Sequence, residues 1–183
     1  MTRRLFVALN FDDAVKKEFA DAAEFFRLVS VRGNFVREEN FHLTLKFLGG
    51  TGDTAIPAIR DELRKVGGES GKFLLSAGKP GFFDRGGEMI LWIGLEGDLT
   101  ELKKLWTRVE TAMARCGFEN DPRGYAPHVT LARKAVLLKP FAATAEKLKI
   151  NIPPIKAASF SLMESSVKNG VLTYTPLEVF HLS

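Results

Sequence analysis

The chain holds a single cysteine, Cys116, in 183 residues, which excludes an internal disulfide and any cysteine-rich zinc site. Cys116 falls late in a helical pattern and reads as a small buried hydrophobe. The glycine pairs Gly49-Gly50 and Gly67-Gly68 lack the Gly-Lys-Ser/Thr continuation of a phosphate loop, so no nucleotide role follows from them. The opening MTRRLFVALNF has two arginines but no apolar run of signal-peptide length, and no stretch approaches a membrane span. The expectation is a protein of the reducing cytoplasm with no membrane partner. Low-complexity segments and obvious linkers are also missing. With 45% hydrophobic and 26% charged residues, 1–183 reads as one domain with one well-buried core. The net charge of +4 is mildly favourable for a polyanionic partner and carries little weight alone.

Histidine is scarce too, with three copies, and two of them stand in the same phrase. His42-Leu43-Thr44-Leu45 lies in FHLTLKFLGG and His128-Val129-Thr130-Leu131 in PHVTLARK, 86 positions apart. Successive side chains of a strand point to opposite faces, so His42 and Thr44 share one face while Leu43, Leu45 and Phe47 take the other. His128 and Thr130 repeat the pattern against Val129 and Leu131. Two imidazoles and two hydroxyls are thereby expected to converge on one ligand. An imidazole with an ordinary pKa of about 6.5 can be neutral in one copy and protonated in the other, so one accepts a proton while its partner donates. Threonine hydroxyls suit an anionic oxygen. The combination fits phosphoryl chemistry without a metal. A metalloenzyme would need further ligands, and neither phrase supplies carboxylates or cysteines at ligand spacing.

Periodicity places these phrases in a mixed α/β pattern. A strand over 4–11 precedes a helix over 12–29 with Val15, Phe19, Ala22, Phe26 and Val29 on one stripe. A short strand over 34–37 leads to the first motif strand, 41–48, expected to stop at Gly49-Gly50. Asp53 or Thr54 is a candidate cap for a helix carrying Ile56, Ile59, Leu63 and Val66. Strands over 72–77 and 89–95 precede a helix opened by Asp98, with Glu101 as a capping-box partner and a stripe of Leu99, Leu102, Leu105, Val109, Met113 and Cys116. A loop through Asp121-Pro122-Arg123-Gly124 leads to the second motif strand, 127–133. Lys168-Asn169-Gly170 signals a hairpin between 157–166 and 171–180. Each half thus offers a strand, a helix and a motif strand. His181, outside any such phrase, reads as structural or solvent-facing.

FHLTLKFLG, PHVTLAR, the N-terminal RRLFVALNF and the closing YTPLEVFHL together resemble the RNA 2′,3′-cyclic phosphodiesterases, also called 2′–5′ RNA ligase-like proteins, of the two-histidine phosphoesterase superfamily. The resemblance covers nearly the whole chain. It implies a monomeric, bilobal α+β protein whose two pseudo-symmetric lobes line a central cleft with antiparallel sheets and carry helices outside. It also implies a metal-independent, cofactor-free opening of a terminal 2′,3′-cyclic phosphate on RNA, tRNA fragments among them, to a 2′-phosphate. By resemblance His42 is the proton donor and His128 the proton acceptor, with Thr44 and Thr130 on the non-bridging oxygens. Microscopic reversibility admits the opposite reaction, a 2′–5′ ligation to a 5′-hydroxyl, and a non-catalytic RNA-end binder would use the same cleft.

Other candidates surround the motifs. Alternation puts Lys46 on the face of His42 and Thr44, within reach of an RNA phosphate. Arg133 follows the second motif as in the resembled family, and a guanidinium suits phosphate geometry. Alternation, however, sets Arg133 opposite His128 and Thr130, so a twist or bulge has to redirect it. Tyr125, Phe82, Phe83 and Trp92 are candidates to stack on a base.

Overall fold

The computed structural model describes residues 2–122 and 124–183, so Arg123 of the expected loop lies outside the described residues. The elements run β1 (Thr2–Asn10), α1 (Asp13–Leu28), β2 (Ser30–Phe35), β3 (His42–Gly52), α2 (Ile56–Gly68), β4 (Phe73–Asp84), β5 (Met89–Gly97), α3 (Leu99–Arg115), β6 (His128–Leu137), α4 (Phe141–Ala145), β7 (Ile155–Ala157), β8 (Ser159–Lys168) and β9 (Val171–His181). The fold is α+β, built on two antiparallel sheets, ordered β3-β1-β8-β9 and β2-β6-β5-β4-β7. The sheets do not follow the halves of the sequence. The C-terminal hairpin joins the first motif's sheet, and β2 joins the second motif's.

The helices form where the sequence places apolar stripes. In α1, Val15, Phe19, Ala22 and Phe26 are buried, and Asp12 caps the helix by accepting the Val15 amide at 2.9 Å. In α2, Ile56, Ile59, Leu63 and Val66 are buried, while a single 3₁₀ turn over Asp53–Ala55 takes the place of a side-chain cap. The capping box expected for α3 does not form. Asp98 instead accepts the Leu74 amide at 3.0 Å, tying the helix start to β4, and Leu99 is exposed. Both sheets and the three long helices contribute to one buried apolar cluster, whose floor includes Leu5, Val7, Leu43, Val129 and Leu131. At roughly 25 cal/mol per Å² of buried apolar surface, this shared core is what holds the two motif strands in one body.

On its other face the four-stranded sheet curls. Asn40, just before β3, donates to the Leu172 carbonyl at 2.9 Å and accepts the Tyr174 amide at 3.3 Å, stitching the start of the first strand to the last. The curl brings Phe6, Ala8, Met163 and Tyr174 into a second, smaller cluster. Strand β3 does not stop at Gly49-Gly50. The pair continues the ladder opposite Leu5 and Arg4, and Gly49, at φ +69°, takes up a bulge that a side chain would strain. The hairpin between β8 and β9 turns on Asn169 and Gly170, both at positive φ, as the Asn-Gly signal requires.

Candidate active site

Both motif strands depart from alternation at the same place. The pairing of β1 with β3 slips between Val7 and Ala8, leaving Leu45 without a partner, and that of β5 with β6 slips between Leu91 and Trp92, leaving Leu131 unpaired. Each bulge falls three residues after its histidine. A bulge sends the following side chains to the opposite faces from those alternation assigns. After it, Lys46 and Ala132 turn into the core, while Phe47 and Arg133 turn outward on the histidine side.

Lys46 is therefore not a phosphate ligand. Its ammonium is buried, 2.9 and 3.0 Å from the two carboxylate oxygens of Glu110 on α3 and 2.8 Å from the Glu119 carbonyl, which occupies all three of its donors. Glu110 also accepts the Asp121 amide at 3.3 Å. The ion pair pins the first motif strand to α3 and to the segment that leads into the second motif. Phe47, placed by alternation among the core residues, is instead 62% exposed, with its ring 6.3 Å from that of Phe6. Arg133 receives the redirection it needs, and its charge acts on both histidines.

The two imidazoles are held alike. His42 Nδ1 lies 2.7 Å from the Asn40 carbonyl and His128 Nδ1 lies 2.7 Å from the Ala126 carbonyl, in each case two residues upstream. A carbonyl oxygen only accepts, so Nδ1 carries the hydrogen and Nε2 is the nitrogen left for proton transfer. His42 Nε2 is 3.0 Å from the Thr44 hydroxyl. Each ring is bracketed by two aromatics: His42 by Phe6 and Tyr174 at 4.9 and 5.2 Å, His128 by Phe83 and Trp92 at 5.1 and 6.0 Å. These walls have an electrostatic consequence. Desolvation, opposed by the Asn40 carbonyl and reinforced by Arg133 and His128, pushes His42 down to about 4. His128 is also lowered, chiefly by burial and then by Arg133, against the Ala126 carbonyl. The charge of Arg133 thus acts on both imidazoles, and that of His128 acts on His42.

Of the aromatic candidates, Phe83 and Trp92 flank His128, Trp92 lying across Gly81, where any Cβ would meet the indole. Phe82 faces away, with its ring 4.8 Å from that of Phe141. Tyr125 is stacked on Trp106 at 5.1 Å and donates its hydroxyl to the Thr44 carbonyl at 3.3 Å, so it braces the cleft and is not free to stack on a base. His181 is exposed at the end of β9. Sequence reasoning missed Phe6, Asn40 and Tyr174, which come from three separate segments. Asn40 alone left a signal, a polar residue two positions before the first histidine. Among the described residues no group of three or more His, Cys, Asp or Glu is arranged to hold a metal ion, and no helix is long and apolar enough to cross a membrane.

A family model described as the 2′-5′ RNA ligase superfamily matches residues 12–163. The chain belongs to the 2′-5′ RNA ligase superfamily. Within it, an RNA 2′,3′-cyclic phosphodiesterase of Thermotoga maritima is 31% identical over 159 residues, covering 85% of this chain and 81% of that protein. One of Methanothermobacter thermautotrophicus is 26% identical over the full length of both. Among solved structures, E. coli LigT complexed with 3′-AMP superposes with a TM-score of 0.81 at 26% identity, over 100% of this chain and 99% of that one. This superfamily member thus has the two-histidine phosphoesterase fold of LigT.

Proposed function

We propose that this chain is an RNA 2′,3′-cyclic phosphodiesterase, a single catalytic domain whose two sheets form the lobes of one cleft, acting as a monomer on RNA ends such as those of tRNA fragments. The observation that carries the reading is the matched pair of imidazoles, each with Nδ1 on the carbonyl two residues upstream and Nε2 left for proton transfer, beside a shared guanidinium. The names of its relatives support the same substrate class.

In the proposed reaction His128 Nε2 takes a proton from water as the water oxygen bonds to phosphorus. The bond from phosphorus to O3′ breaks, and His42 Nε2 gives its proton to the departing oxygen, leaving a 2′-phosphomonoester. Thr44, Thr130 and Arg133 hold the non-bridging oxygens, where charge builds up. Phe47, exposed on the same face, offers a surface for the terminal base. The free cleft leaves His42 neutral near pH 7, so its proton has to be drawn in by the phosphodiester anion, whose charge raises the pKa of an adjacent imidazole. The deeper desolvation of His42 favours a second reading with the two roles exchanged, His42 as base and His128 as acid.

Incubation of an RNA bearing a 2′,3′-cyclic phosphate, with assignment of the phosphate position in the product, tests the function. A 2′-phosphomonoester is expected, whereas a 3′-phosphate or retention of the cyclic end without turnover overturns it. The pH profile separates the two role assignments. With both histidines held below 6.5, kcat/KM should peak between about pH 4 and 6.5, while kcat alone should hold to higher pH because the bound anion keeps the acid protonated. Removing the acid should abolish the alkaline limb. If His42→Ala abolishes the acidic limb instead, the roles are exchanged.

A further inference from the structure

Two consecutive arginines of β1 meet different fates. Arg3 is committed to the protein, its Nε donating to Asp53 at 2.8 Å and its Nη1 to Glu164 at 3.4 Å. Arg4, one residue on, alternates to the opposite face, the one that carries Phe6 and Ala8 beside the cleft. It stands between Gly50 of β3 and Ser165 of β8, and Ser165 is paired in turn with Tyr174. Arg4 is exposed, and among the described residues no carboxylate or other group engages its guanidinium. The charges of Arg133 and Arg4 both act on Tyr174. Arg4, Ser165 and Tyr174, directly opposed across three adjacent strands, therefore share the sheet face on which Phe6 stands 5.0 Å from Tyr174 and 4.9 Å from His42.

Building on the function proposed above, we propose that Arg4, together with the Tyr174 hydroxyl, forms a second phosphate subsite that takes the 3′–5′ phosphodiester joining the terminal nucleotide to the rest of the RNA. The chemistry is specific to that group. An RNA end differs from a cyclic mononucleotide by an anionic diester next to the terminal nucleoside, and a free guanidinium is suited to two of its oxygens. The Tyr174 phenol stays protonated, because burial raises it more than the two arginines lower it, so it remains a donor. The subsite selects RNA ends over cyclic mononucleotides.

The test compares a 2′,3′-cyclic mononucleotide with a dinucleotide carrying the same cyclic end. In the wild type the dinucleotide should have the higher kcat/KM. Arg4→Ala should lower the dinucleotide-to-mononucleotide ratio roughly 10-fold, Arg4→Glu should lower it further, and Arg4→Lys should keep part of it. An unchanged ratio overturns the subsite, and so does an equal fall on both substrates, which would place Arg4 at the scissile phosphate or in the fold. A binding arm keeps this separate from the catalytic proposal. The dissociation constant of a dinucleoside 3′-phosphate should rise on Arg4→Ala, and its logarithmic salt dependence should fall by about one, whether or not the protein turns over a cyclic end. If cyclic ends are not cleaved but this binding difference is present, the function proposed above fails and the subsite stands.

Discussion

Strands β3 and β6 share a backbone device and differ in what it delivers. Each bulges three residues after its histidine, and each holds Nδ1 on the carbonyl two residues before it. Yet the inward position is Lys46 in one and Ala132 in the other, and the outward position is Phe47 in one and Arg133 in the other. The repeated geometry holds two imidazoles alike, each with Nδ1 bonded to a carbonyl. The unmatched side chains make them inequivalent: one sheet presents the Phe47 ring, the other the Arg133 cation. In the proposed reaction, with a nucleoside on one side of the phosphorus and water on the other, that division gives each side of the ligand its own partner.

The largest effect expected from breaking the pair is on turnover. His42→Ala and His128→Ala should each reduce single-turnover rates by roughly 10²–10⁴, since each removes a proton-transfer partner. Thr44→Val and Thr130→Val should cost less, roughly 10- to 10³-fold, as each deletes one donor to the developing anion. A greater loss in the threonine variants than in the histidine variants would reassign the roles.

The inward positions differ in stability. Lys46→Met leaves the Glu110 carboxylate buried without its counterion, and chemical denaturation should show a loss of about 3–5 kcal/mol. Ala132 shows that the second lobe manages without a charge there, so adding Glu110→Leu should recover more than half of the loss. Failure to recover would mean that the tie to the Glu119 carbonyl and the Asp121 amide is what matters.

A smaller effect separates the histidines by pH. The folded pKa of His42 lies below its unfolded value, so the unfolded chain binds the proton first as pH falls. The stability associated with neutral His42 is complete above about 6.5 and is lost as pH drops through about 4. The loss is up to about 3 kcal/mol, less the screening allowed by the ring's partly exposed edge. Denaturation of wild type and His42→Ala from pH 7 to 4 should show the wild type falling more steeply. Equal slopes would place His42 in a wetter setting than its bracket of Phe6 and Tyr174 implies.

The sequence makes the site legible as far as each bulge and no further. The histidines, the threonines and the core residues between them follow from period-2 alternation and hold as far as the bulge. Beyond it alternation fails, which is why Lys46 and Phe47 exchange faces relative to expectation. No spacing rule marks Leu45 as unpaired, because a bulge depends on the partner strand. Arg133 was recoverable only because a bulge was required to bring it round. Helix stripes were readable for α1 and α2, whereas the true partner of Asp98 is a β4 amide that no local motif signals. The early start of β2 and the short α4 and β7 carry too few residues for a periodic signal. Asn40, Phe6 and Tyr174 belong to the curl of the sheet, a property of the tertiary structure alone.

If the two histidines act as one unit in the proposed reaction, the double variant His42→Ala/His128→Ala loses little beyond the slower single variant. Single-turnover rates on an RNA with a 2′,3′-cyclic phosphate should place the double variant within a few-fold of the slower single variant, because residues that act together are not additive. A double-variant loss equal to the product of the two single losses, or near-normal activity in either single variant, would contradict the two-histidine mechanism.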